Sequence, residues 1–180
     1  MKILVLGSKG QLGLCLADNL VHTDHEVIYT CRVAIDIVEF NNTSERIREI
    51  NPDVVINATA YTAVDKAESD ENLAELVNHH AVSNIADICA DLNCWLIHIS
   101  TDYVFDGTAT RPYIETDKTN PQCIYGVSKL NGELAIKSSG CKHLVIRTAW
   151  VFSEYGNNFM KTMLRLGTDS DKLSVVGDQT

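Results

Sequence analysis

The chain has 180 residues, 45% hydrophobic and 22% charged, the make-up of about one to one and a half ordinary globular domains. Fifteen Lys and Arg against 24 Asp and Glu leave a formal charge of −9, which excludes a basic nucleic-acid binder as the default, because phosphate contact needs a cationic face. No apolar run approaches the ~20 residues of a membrane helix. The short run Ile3–Leu6 has no small-residue cleavage site behind it, so neither a membrane span nor a secretory leader is expected.

Taken in chain order, Lys2–Leu6 reads as a buried strand ending at glycine, and Gln11–Val21 as a helix through Leu12, Leu16, Ala17 and Leu20. Glu26–Thr30 is a second strand. Thr43–Asn51 is a short helix, capped by Thr43 or Ser44 and stopped before Pro52. Asp53–Asn57 is a third strand. One long helix is predicted over most of 67–92, with Leu73, Leu76, Val77, Ile85, Ile88 and Leu92 inward. Trp95–Ile99 is a fourth strand, and 100–121 a long loop. Ile124–Lys137 is a helix, Leu144–Arg147 a fifth strand, Asn158–Leu166 a helix and Leu173–Val176 a short strand-like run.

Six cysteines, at 15, 31, 89, 94, 123 and 141, form no C-x-x-C pair and are expected as reduced thiols in a cytoplasmic protein. His79 and His80 are neighbours whose side chains diverge on an α-helix, so they read as a poor metal pair, and no metal is expected.

Strands alternating with helices, and apolar along their whole length, predict an α/β fold: a Rossmann-like, doubly wound parallel sheet with helices on both faces. Ligands in such folds bind beyond the carboxyl ends of the strands. At the first of these ends stands Gly7-Ser8-Lys9-Gly10-Gln11-Leu12-Gly13. Glycines let the backbone turn and approach a pyrophosphate, and the helix start offers unpaired amides and partial positive charge. The spacing G-x-x-G-x-x-G departs from the commoner G-x-G-x-x-G, so the strand–turn–helix context carries the reading of a dinucleotide cradle. The second strand end, Thr30-Cys31-Arg32, has no acid to bind a ribose diol, and Arg32 is suited to a 2′-phosphate. That leans the cofactor to NADPH over NADH.

Tyr125 and Lys129 stand i, i+4 and share one helix face. An ammonium beside a phenol favours phenolate, so Lys129 is expected to lower the pKa of Tyr125 and let it exchange a proton with a substrate oxygen. Ser100-Thr101, at the end of the fourth strand, supplies a hydroxyl where a carbonyl would need a donor.

With these residues the chain resembles the extended short-chain dehydrogenase/reductase superfamily, and within it the dTDP-4-dehydrorhamnose reductase family. The resemblance runs from Met1 to Thr180 and rests on Gly7–Gly13, Asn57–Glu68, Ser100–Gly107, Tyr125–Lys129, Arg147–Phe152 and Asn157–Leu166. It implies a catalytic triad of Thr101, Tyr125 and Lys129, with Tyr125 the proton donor to a sugar 4-keto oxygen and Lys129 also on the nicotinamide ribose. It implies cofactor contacts at Gly10, Gln11 and Leu12, at Asp36 and Ile37 near the adenosine, and at Ala60, Tyr61 and Thr62. Thr101, Asp102, Tyr103 and Trp150 match positions facing a deoxysugar. The activity implied is NAD(P)H-dependent reduction of a dTDP-4-keto-6-deoxysugar, the partner molecule being that substrate and a homodimer being compatible. The same fold also serves non-catalytic regulatory subunits, such as the methionine adenosyltransferase β-subunit, and epimerases of other nucleotide sugars.

Two departures stand out. Some members hold Mg²⁺ at a dimer interface through an acid two residues after the third glycine, and Cys15 occupies that place here. The family pattern also continues past Val175-Val176-Gly177-Asp178-Gln179-Thr180. The chain is therefore read as a dinucleotide-binding domain over 1–150, followed by the start of a substrate-binding portion over 151–180. On that reading it is expected to turn over substrate poorly alone, since remote binding energy aligns the reacting centre.

Overall fold

The computed structural model describes residues 1–169 and 172–175. Five strands, β1 (Lys2–Leu6), β2 (Glu26–Thr30), β3 (Val54–Asn57), β4 (Trp95–Thr101) and β5 (Lys142–Thr148), pair in the order β2-β1-β3-β4-β5. Every pairing is parallel. From β1 the chain moves outward to β2, then returns to the other side for β3. The carboxyl ends of β1 and β3 therefore flank the switch point where such sheets open a crevice.

Period-two alternation along the strands sorts their side chains between two faces. Leu4, Leu6, Val55 and Leu96 enter the larger core with residues of α2 (Phe40–Ile50), α5 (Ala81–Leu92) and α6 (Ile124–Ser139). Ile3, Val5 and Ile56 face the other way, against Leu16 and Leu20 of α1 (Gln11–Leu20). Leu4, Val5, Leu6, Val55 and Leu96, all fully buried, each contribute ~1.5–3 kcal/mol relative to exposure. At the β4–β5 side of this second face, Trp95, Leu144 and Ile146 remain exposed.

Several local expectations shift. Helix α2 starts at Phe40, so Thr43 lies within it, buried, donating to Asp36 O at 2.9 Å instead of capping. Asn51, in the left-handed region at φ 48°, ends that helix ahead of Pro52. Strand β4 runs two residues further than predicted and carries Ser100 and Thr101 inside the sheet. Strand β5 is longer at both ends, α6 runs on to Ser139, and the last helix, α7, covers Phe159–Asp169. The run predicted at Leu173–Val176 shows no strand over 172–175, and Val176 lies outside the described residues.

The long helix predicted over 67–92 is broken. It divides into α3 (Val64–Ala67), α4 (Glu71–Glu75), a wide π turn (Leu76–His80) and α5. Because the chain restarts at Glu71, Ala74 takes the inward position and Leu73, expected inside, is 39% exposed. In the π turn the Ala81 N–H reaches Leu76 O, five residues back. The buried Asn78 side chain accounts for the widening: it accepts from Tyr61 N (2.9 Å) and donates to Tyr61 O and Ser128 Oγ (both 3.1 Å). The turn also brings the His79 and His80 rings face to face, centroids 4.5 Å apart, where an α-helix would have splayed them.

Candidate active site

The glycine turn after β1 is held from two sides. Gly7 N and Ser8 N both donate to Thr30 O at the end of β2, at 3.0 and 2.9 Å. Gly7 sits at φ 83° with the end of β3 against it: an added Cβ would lie 2.9 Å from Ala58 O. At Gly13 a Cβ would lie 2.4 Å from Gly7 O. No side chain caps α1, and no acid stands in its first turn, which leaves the amide-rich start of the helix to an external anion. The cradle thus fits a pyrophosphate, with Gly10, Gln11 and Leu12 at the helix start. Gln11 is also tied from the far side, its Oε1 accepting from Asn158 Nδ2 at 3.0 Å.

At the adenosine end, Arg32 is 82% exposed on its side chain, and its Nε donates to Asp36 Oδ2 at 2.8 Å. The guanidinium thus engages Asp36 Oδ2, while Asp36 Oδ1 accepts from Val38 N at 3.4 Å. Ile37, which the family resemblance puts near the adenosine, buries its side chain in the larger core together with Ile35 and Ile47 of α2. Tyr61 is clamped by Asn78 through both backbone atoms, and its phenol reaches Asp70 at 3.3 Å. Ala60 and Thr62 beside it stay exposed.

Thr101, buried at the end of β4, donates from Oγ1 to Asp102 Oδ1 (2.9 Å) and accepts from Tyr103 N (3.2 Å), which opens the turn Asp102–Val104. Helix α6 begins beside that turn, with Cys123 Sγ accepting from Gly126 N. Close approach requires Gly126, where a Cβ would meet Tyr103 O at 2.3 Å. Tyr103 and Tyr125 then pack edge to face at 5.6 Å, and the Tyr125 phenol comes near enough to Thr101 for that hydroxyl to pull its pKa down. Thr101, Tyr103 and Tyr125 are therefore brought together as expected.

Lys129 departs from expectation. It is buried, and its Nζ donates to Ile99 O at 2.6 Å and lies 3.3 Å from His98 Nε2. Burial raises the Tyr125 pKa above its ordinary value and outweighs the opposing pull of Thr101. The expected lowering by Lys129 is therefore corrected: with the ammonium site turned to Ile99 and His98, the phenol keeps its proton at neutral pH.

Four polar residues to which the sequence reading gave no individual role build the support. Asn57 Oδ1 accepts from Thr59 N (3.1 Å) and Oγ1 (2.5 Å), so its Nδ2 faces His98 Nδ1 at 3.2 Å. His98 is fully buried and held neutral, its pKa pushed well below normal by desolvation and then by Lys129. With Nδ1 accepting, the single proton must sit on Nε2, pointing at Lys129 Nζ. That contact suits an amine better than an ammonium. Burial lowers the Lys129 pKa to about 8, against a raising pull from Glu133. Glu133 is itself gripped by Arg147 through two bonds (3.0 and 2.6 Å) and by the Ser100 hydroxyl. His98, Asn57, Glu133 and Arg147 have no local periodicity that marks them, because their partners are 14 to 41 residues away.

Trp150 is 59% exposed, in the left-handed region at φ 53°, with Phe159 edge-on at 4.9 Å. It is therefore a surface aromatic beyond β5 and not part of the core. A cavity of about 910 Å³ opens between β5 and the 109–115 loop, and of the expected site residues only Asp102 lines it.

A family model described as the RmlD substrate binding domain matches residues 1–180. The chain belongs to the RmlD substrate-binding domain family. It is 43% identical over 185 residues to a dTDP-4-dehydrorhamnose reductase of Shigella flexneri, covering 99% of this chain and 61% of that protein. A dTDP-4-dehydrorhamnose reductase structure from Clostridium acetobutylicum superposes with a TM-score of 0.96 at 43% identity, covering 99% of this chain and 63% of that one. Another, from Bacillus anthracis in complex with NADP, gives 0.93 at 36% identity, over 97% and 62%. The chain thus spans about three fifths of the length of the family relatives it matches.

Proposed function

We propose that this chain carries the cofactor-binding and proton-donating half of a reductase converting dTDP-4-dehydro-L-rhamnose to dTDP-L-rhamnose, with NADPH preferred over NADH. The observation that carries the reading is a protonated, half-buried Tyr125 beside Thr101 two strands from an uncapped glycine cradle. Parallel neighbours lie ~4.8 Å apart, so the strand ends are separated by roughly 10 Å, a distance suited to a dinucleotide. Relatives similar in sequence and in structure bear that enzyme's name, and one of them was solved with NADP.

A reduced nicotinamide bound here supplies the hydride. The chain's own residues do the rest. The amides at Gly10, Gln11 and Leu12 hold the pyrophosphate, while Arg32 offers the remaining guanidinium donors to a 2′-phosphate. Tyr61, fixed by Asn78, shapes the wall between them. The Tyr125 phenol gives its proton to the 4-keto oxygen, and Thr101 donates a hydrogen bond to the same oxygen. Lys129 supplies a donor for the ribose and proton-return chemistry near its lowered pKa. Asp102, Tyr103 and Trp150 face the sugar. No helix among the described residues is long and apolar enough to cross a membrane.

The test is NADPH consumption that depends on dTDP-4-dehydro-L-rhamnose, run on the protein carrying this sequence and on Tyr125→Phe. Substrate-dependent consumption lost in the variant supports the reading. NADPH binding without turnover in the complete protein would favour a regulatory role, and turnover without net NADPH consumption would favour an epimerase.

A further inference from the structure

The π turn does more than seat Asn78. On an α-helix each residue advances by about 100°, so a side chain five residues after Glu75 points roughly 140° away from it. In a turn closed by i→i+5 bonds the advance falls to roughly 80°, and residues four and five positions on straddle the first. Glu75, His79 and His80 occupy those places, and one ligand atom from each lies within 4.8 Å of the others. His79 Nδ1 and Glu75 Oε2 are 2.8 Å apart, and both side chains are largely shielded, while His80 is exposed. The carboxylate is oriented from behind: Asn131 Nδ2, on α6, donates to Glu75 Oε1 at 2.8 Å, leaving Oε2 toward the imidazoles.

We propose that Glu75, His79 and His80 form a surface site for a borderline divalent transition-metal ion of the Zn²⁺ class. Two imidazoles and a carboxylate are the donor set such ions take, with a fourth position left to water. The stacked rings bring their nitrogens toward a common ion, which takes the place of the 2.8 Å contact between His79 Nδ1 and Glu75 Oε2. Asn131 serves as the outer partner that fixes the carboxylate. Neither the cradle nor the Tyr125 corner takes part, so the site stands or falls independently of the proposed reductase chemistry.

The experiment is a Zn²⁺ titration of the purified, reduced protein against a chromophoric chelator, with histidine imidazole NMR signals followed in parallel. One ion per chain is expected, with shifts confined to His79 and His80 among the six histidines. His80→Ala, at an exposed position, should weaken binding at least tenfold with the melting temperature of the metal-free protein unchanged, as should Glu75→Gln. Asn131→Ala should weaken it less, within the roughly ten- to hundredfold range of outer-partner losses. Three results would overturn the site: no stoichiometric binding, binding unchanged in His80→Ala, or binding lost in Cys94→Ser instead, which would place the ion at the buried thiols.

Discussion

At the end of β1 the working atoms are backbone amides, and at the end of β4 they are side chains. The first region is defined by excluded volume: Gly7 and Gly13 leave no room for a Cβ. The second is defined by excluded charge: His98 is neutral, Lys129 is easily deprotonated and Tyr125 is held protonated, all by burial. The contrast teaches that a cradle fails by steric filling, whereas a proton-transfer corner fails by electrostatic mistuning with the fold intact.

The largest expected effect lies in the corner. Tyr125→Phe should lower turnover by about a hundred- to ten-thousandfold, the usual range for a positioned proton donor, with the thermal shift produced by NADPH unchanged. Turnover within a few-fold of normal would remove Tyr125 from the chemistry. In the cradle, Gly13→Ala should cost about 1–3 kcal/mol by overpacking and abolish the NADPH-dependent rise in melting temperature. Gly10→Ala, whose Cβ would meet Gly7 O at a softer 3.3 Å, should be milder on both counts.

A third prediction concerns charge exclusion. The Lys129 pKa falls from 10.5 in the free side chain to about 8 in the fold. Between those values the unfolded chain binds more protons, so stability should rise as pH climbs from about 8 toward 10.5, and the burial penalty should be complete below 8. Urea melts across that window should show the rise in the wild type and its absence in Lys129→Met. His98→Gln, which can turn an amide oxygen toward Nζ, should move the start of the rise upward. An unchanged profile would show that the Nε2 proton is not aimed at Lys129. The smallest effect belongs to Arg32→Ala. Its exposed, solvent-screened pair with Asp36 adds little to stability, so melting should not move. NADPH affinity should drop about tenfold, roughly 1.4 kcal/mol, while NADH affinity holds.

The cradle was legible because its elements are contiguous: an apolar strand, three glycines and a helix start within 13 residues. Tyr125 and Lys129 were legible because i, i+4 spacing puts both on one face. Their electrostatics were not, since the pKa of Tyr125 depends on what buries it and on where Lys129 Nζ turns. The burial of Ile37 in the larger core was not legible for a related reason: an apolar residue near a strand end reads alike as core or as site lining. The break at 68–70 and the π turn escaped notice because residues 67–92 satisfy a helical period on paper. Only the meeting of Asn78 with Tyr61 and Ser128 widens that turn.

By itself, the sequence determined the alternation of strands and helices, the parallel sheet and the carboxyl-end location of the glycine turn and of Thr101, because these follow from local periodicity and from what glycine and proline allow. The tertiary structure alone decided the tautomer of His98, the orientation of Lys129, the Glu133–Arg147 brace and the Glu75–His79–His80 trio. Each depends on groups brought together by strand order and helix packing, and on burial that removes water from between them.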